Sequence, residues 1–211
     1  MTQCDWSLPV EAVGSRVWSA LIAAQIFTVN ADGAPYIFAT GETGTLKVDG
    51  ELLQRDPFHY GVVLGFMATH ACVRRFGALA FVPNGTRDPA ERIAGLTGKP
   101  VIYMERPEGA GRYEYQFCSP ADSDLVAVAG SVTLLEDVSR TGSSAYAAGQ
   151  LLRQANPAAA IHSLSMLQRG PIDSQYETGP HSLVYHTLCR RDVPLDVADF
   201  TARYGITPRV V

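Results

Sequence analysis

The chain is poor in thiols, in charge and in long apolar runs. Four cysteines occur in 211 residues, Cys4, Cys72, Cys118 and Cys189, and no two form a Cys-x-x-Cys pair. Such scatter argues against a disulfide framework or a zinc site, so these read as reduced, buried or incidental thiols. No apolar run approaches the roughly 20 residues needed to span a bilayer. Met1 to Trp6 has no basic stretch ahead of an apolar core, unlike a secretory signal. Charged residues make up 18% and the formal net charge is -4, which gives no electrostatic footing for nucleic acid. Internal repeats, low-complexity tracts and interdomain linkers are lacking. The expectation is a single domain spanning residues 1–211, of a size that buries a sizeable core, acting in the cytoplasm as an enzyme or a binding protein.

What is present alternates between helical and strand periodicity. Residues 10–27 carry Val13, Val17, Leu21 and Ala24 at helical spacing. Residues 30–33 form a turn, and strands at 35–40 and 45–48 flank the Gly-rich segment 41–44. Asp49-Gly50 closes the second strand. Asp56-Pro57 opens a helix that runs to Gly77. A strand at 78–82, a helix from Asp88-Pro89 to Leu96 and a strand at 101–104 make a crossover unit. Residues 105–116 are charged and Gly-rich, either mobile or an exposed hairpin with Tyr113, Tyr115 and Phe117 on one face as packing residues. A loop at 119–124 precedes a strand with Glu136 and Asp137 at its carboxyl end and a helix at 145–153. Strands at 158–167 and 182–188 and a helix at 197–204 complete the chain. This alternation predicts an α/β, doubly wound, mostly parallel sheet, with ligands at the carboxyl ends of its strands. His59, His70, His162, His181 and His186 show no local metal-ligand spacing and read as structural or surface residues.

The chain is organised around residues 131–144, Ser-Val-Thr-Leu-Leu-Glu-Asp-Val-Ser-Arg-Thr-Gly-Ser-Ser. An apolar strand brings the adjacent acids Glu136 and Asp137 to its carboxyl end. Thr141, Gly142, Ser143 and Ser144 then form a small-residue loop at a helix start. Such a loop converges backbone N–H groups on one point, which suits a phosphate. The acids beside it suit the hydroxyls of a sugar carried on that phosphate.

This stretch resembles the phosphoribosyl pyrophosphate signature of type I phosphoribosyltransferases. In order and pattern over roughly residues 10 to 200, the chain is most similar to orotate phosphoribosyltransferases. The segments that carry this are Phe38-Ala-Thr-Gly41, Leu46-Lys-Val-Asp49, Phe81-Val-Pro-Asn-Gly85 and Tyr103-Met-Glu-Arg106. The resemblance implies a core at about 56–190 and a small hood from about 10–50 and 165–205. It further implies Mg2+ held mainly by substrate near Asp137, a homodimer, and transfer of ribose 5-phosphate from phosphoribosyl pyrophosphate to orotate or a related anionic nitrogen heterocycle.

Residue by residue, the resemblance implies that Glu136 and Asp137 hold the ribose hydroxyls and that Thr141, Gly142, Ser143 and Ser144 cradle the 5′-phosphate. Asn84, Gly85 and Thr86 stand where the family holds pyrophosphate. Departures from the pattern are equally specific. Residues 105–113 hold no lysine or histidine, so Arg106 and Arg112, with Asp137, are the catalytic candidates. Ala39 replaces the family's lysine before its early turn, and the Asp-Arg after the following strand is missing. Arg140, Lys47 and Arg169 are the candidates for holding the acceptor. A non-catalytic protein that binds phosphoribosyl pyrophosphate or a nucleotide as a regulator is the second reading. A different α/β phosphate-binding enzyme is the third.

Overall fold

A computed structural model describes residues 9–38, 41–83, 85–178 and 182–211. Helix α1 (Val10–Ala23) buries Gly14, Val17, Ala20 and Leu21 on one side. It stops before residue 27 because Gln25 takes a left-handed φ of 53°, a conformation that ends helices. The chain then enters β1 (Phe27–Val29), β2 (Tyr36–Ile37), β3 (Thr43–Gly44) and β4 (Lys47–Val48). The expected pair around a Gly-rich turn does not form as such. β2 pairs with β3, inside the segment read as the turn, and β4 pairs antiparallel with β1.

Helix α2 (Gly50–Gln54) replaces the expected turn, capped by the Asp49 carboxylate, which accepts from the Glu51 N–H at 3.1 Å. Helix α3 (Pro57–Thr69) begins where the sequence places it, with Asp56 capping and proline in the first turn. It ends at His70, whose extended backbone (φ -60°, ψ 142°) restarts the chain as α4 (Ala71–Arg75). The single long helix expected to Gly77 is therefore two.

β5 (Ala78–Phe81), α5 (Arg87–Thr97) and β6 (Val101–Ile102) form the crossover unit. β7 (Met104–Glu105) and β8 (Gln116–Phe117) pair as a hairpin. Residues 119–124, expected as loop, instead open α6 (Pro120–Ala129). Ser119 Oγ donates to Asp122 at 2.6 Å, and Asp122 also accepts from the Tyr103 N–H at 2.8 Å. A polar string with proline in the first helical turn mimics a loop in composition. β9 (Ser131–Ser139) continues past Leu135 through both acids. Then come α7 (Ser143–Ala155), β10 (Ala160–Arg169), α8 (Ser174–Thr178), β11 (Val184–Arg191), α9 (Val197–Tyr204) and β12 (Arg209–Val210). Neither α8 nor β12 is anticipated by the sequence pattern.

The main sheet has order β11-β10-β9-β5-β6, with every neighbouring pair parallel. Both faces are covered, which explains the near-continuous apolar strands. On β9, Val132 and Leu134 pack with Val126, Ala145, Ala148 and Leu152 of α6 and α7. Leu135 faces the other layer with Val17, Leu21, Val63, Met67 and Ile93 of α1, α3 and α5. Strand alternation sorts the two layers, and β5 divides in the same way: Ala78 and Ala80 against Leu79 and Phe81. A second sheet, β12-β1-β4, joins segments from both parts of the chain, and Phe200 of α9 stacks on Phe27 at 4.7 Å. No helix among the described residues is long and apolar enough to cross a membrane.

Candidate active site

Strand β9 carries Glu136 and Asp137 to its end in consecutive positions, so their side chains leave on opposite faces. Glu136 is 5% exposed, and its Oε2 has no hydrogen-bond partner. Burial first, then the neighbouring Asp137 charge, pushes its carboxyl up to about 8, so the acid form prevails at neutral pH. Asp137 is partly buried on the other side, wedged between two glycines. A Cβ at Gly50 would lie 2.6 Å from its Oδ2 and one at Gly85 3.6 Å. Burial pushes its carboxyl above the usual range too, opposed by the Val138 N–H that its Oδ1 accepts from at 2.7 Å and reinforced by Asp49 and Glu51.

The loop after β9 turns on Gly142, whose φ of 86° favours glycine. A Cβ there would also strike Ile172 at 2.9 Å and Tyr185 at 3.1 Å. The loop is held from behind: Tyr185 O–H donates to the Gly142 carbonyl at 3.0 Å, and the Asp173 N–H to that of Thr141. Helix α7 starts at Ser143 with no side-chain cap, leaving its first N–H groups aimed at the loop. Thr141 and Ser143 hydroxyls lie 3.1 Å apart, and Ser143 Oγ donates to Tyr113 O–H at 3.0 Å. The Tyr113 side of the β7–β8 hairpin thus faces this loop, where packing alone was expected.

A cleft of about 280 Å3 opens over these groups, lined by Glu136, Asp137, Arg140, residues 141–144, Lys47, Arg112 and Arg169, with Phe38, Val48 and Val138 as its apolar part. The structure therefore gathers sequence-predicted residues from four separated segments. Their engagements differ from the expected ones. Lys47 Nζ donates to Asp49 at 3.0 Å. Arg140 grips Glu42 of β2–β3 with both terminal nitrogens, one at 2.8 Å. Arg169 is buried and donates to the Val193 and Pro194 carbonyls. Burial, with Arg140 nearby, brings its guanidinium down to about 10. It braces the wall more than it reaches for a ligand.

Arg106 lies outside this lining, its guanidinium beside the Tyr115 hydroxyl. Gly85 and Thr86 also lie outside it. Thr86 Oγ1 donates to the Val82 carbonyl at 2.6 Å, so its proton is already engaged. Asn84 falls outside the described residues. Gly85 borders a second concavity with Glu51, Gln54, Arg55, Arg87 and Asp88, and touches the first through Asp137. Arg55 and Arg87 were missed by the sequence reading. The signal for Arg87 was its place at the first turn of α5, directly after the Asn84-Gly85-Thr86 loop. Arg55 had no local signal.

No protein-family model matches the chain, and a search of curated proteins finds no match. Solved structures do match. The orotate phosphoribosyltransferase of Aeropyrum pernix superposes with a TM-score of 0.61 at 16% identity, covering 90% of this chain and 99% of that one. Adenine phosphoribosyltransferase of Trypanosoma brucei, solved with AMP, pyrophosphate and ribose-5-phosphate, gives 0.57 at 12%, covering 89% and 82%. Orotate phosphoribosyltransferase of Mycobacterium tuberculosis H37Rv gives 0.56 at 14%, covering 83% and 95%. The chain has the type I phosphoribosyltransferase fold.

Proposed function

We propose that this chain is a phosphoribosyltransferase, moving ribose 5-phosphate from phosphoribosyl pyrophosphate to a ring nitrogen of orotate or a related anionic heterocycle. The observation that carries the reading is one convergence. The uncapped start of α7, turned by Gly142, and the buried, unpartnered Glu136 oxygen meet in a single cleft. A 5′-phosphate on the loop places the ribose over the two acids. Protonated Glu136 donates to one hydroxyl and Asp137 accepts from the other. The C1–O bond to diphosphate then breaks with its electron pair leaving on oxygen. The nitrogen lone pair forms the new C–N bond, and its N–H proton passes to solvent. Positive charge develops at C1, and Asp137 lies near enough to favour it electrostatically. Arg112 from the hairpin, with Arg55 and Arg87 beside Gly85, faces the departing diphosphate charge.

Magnesium belongs to this proposal as a partner of the diphosphate. Among the described residues no three acidic, histidine or cysteine side chains converge to hold a metal ion. On this reading its ligands are mainly phosphate oxygens, with Asp137 beside them, and it would supply charge neutralisation when bound. A homodimer and a cytoplasmic setting complete the reading, and the first is checked by light scattering.

The test is diphosphate release from phosphoribosyl pyrophosphate with magnesium and a panel of orotate, pyrimidines and purines. Release with an anionic pyrimidine is expected. A hairpin without lysine or histidine favours a second reading, a binding protein that senses phosphoribosyl pyrophosphate. Binding that Asp137→Asn abolishes, with no release for any base, selects that one. No binding removes both.

A further inference from the structure

Glu42 and Arg140 are 98 positions apart in the chain, yet their side chains meet as a two-pronged ion pair, of which Arg140 lines the cleft. Arg140 stands between the ribose-facing Asp137 and the phosphate-facing Thr141, so its guanidinium borders the place where an acceptor joins C1. Phe38, 5.6 Å from the Arg169 guanidinium, offers an apolar face on the same side. We infer that Glu42 is a specificity-determining residue: an internal carboxylate seated on Arg140 that an acceptor's own carboxylate replaces. This rests on the phosphoribosyltransferase reading and deepens it.

Three observations support the exchange. The pair has the fork geometry by which arginine reads any carboxylate, so one can stand in for another without loss of charge balance. Its side chains are 33% and 47% exposed, so the pair opens to water without unpacking a core. The other cations on that side are engaged elsewhere, Lys47 with Asp49 and Arg169 with main-chain carbonyls. A neutral heterocycle has nothing to offer Arg140 in place of Glu42. An anionic one does, and must first compete with Glu42 for it. Selectivity is then a difference between two occupants of one guanidinium.

The test compares orotidine 5′-monophosphate with uridine 5′-monophosphate by calorimetry. Both fill the phosphate and ribose positions, and they differ by one carboxylate. Glu42→Gln is expected to tighten the carboxylated nucleotide about tenfold, the scale of one charge-assisted hydrogen bond, and to leave uridine 5′-monophosphate within about twofold. Arg140→Gln should erase the preference, and the double variant should show no gain over Arg140→Gln alone. Equal shifts for both nucleotides, or none, in Glu42→Gln would overturn the inference while the cradle stands. Failure of the unaltered protein to bind either nucleotide or phosphoribosyl pyrophosphate overturns the cradle reading and this one with it.

Discussion

Glu136 holds a proton at neutral pH because its carboxyl is buried beside Asp137 and one of its oxygens has no donor. Its folded-state constant, about 8, lies above the ordinary 4.5, so between those values the folded chain binds more protons than the unfolded one. Stability is therefore lost as pH rises through that window. Glu136→Gln should flatten this decline, read from urea midpoints between pH 5 and 8.5; an equal slope in both proteins would mean the carboxyl is ionised in the fold. Asp137 depends on a neighbour of another kind. Gly50→Ala puts a methyl 2.6 Å from its Oδ2. Phosphoribosyl pyrophosphate should then bind about tenfold more weakly, roughly one charged hydrogen bond misplaced, while the melting temperature moves little. Calorimetry and a thermal melt on the same sample decide it. The acids and the Thr141 to Ser144 loop were legible because their chemistry is local: residue types in sequence order. Gly50 and Glu42 were not, since each matters only through a contact made across the fold.

At the scale of elements, α7 and the β7–β8 hairpin answer to the same loop. Gly142→Ala meets both a left-handed φ and Ile172, and should cost about 1–3 kcal/mol, measured by denaturant unfolding. Tyr113→Phe removes the acceptor for Ser143 and leaves the ring. The hairpin should then open more often, seen as several-fold faster trypsin cleavage after Arg112; an unchanged rate would make the hydrogen bond incidental. The central strands were legible because burial on both faces writes unbroken apolar runs such as Ala78 to Val82. Short elements were not. β3 and β12 span two residues each, too few to show a period, and α6 begins with residues that read as loop by type. The break at His70 escaped notice because the apolar pattern carries on through Cys72 and Val73.

Across the whole molecule, three of the histidines judged unconnected come together. The rings of His162 and His186 stack with centroids 5.1 Å apart and share a 2.8 Å nitrogen contact, and His70 lies 5.2 Å from His186. Burial pushes all three below the usual 6.5, His70 to about 4 with the other two adding to it. The unfolded chain thus takes up protons first as pH falls. Stability contributed by the cluster is present above about 6.5 and lost toward 4. His70→Gln should remove part of this acid-side loss, read as the difference in urea midpoint between the variant and the unaltered protein as pH falls from 6.5 to 4. Separations of 24 and 92 positions or more hide such a cluster from any local spacing rule, as 162 to 186 and 70 to 162 illustrate.

The sheet β12-β1-β4 has a consequence for biosynthesis. Lys47 and Val48 of β4 wall the cleft and pair with β1, whose other edge takes up residues 209 and 210. A growing chain therefore completes the loop at 141–144 well before the outer edge of β1, behind that wall, has its partner strand.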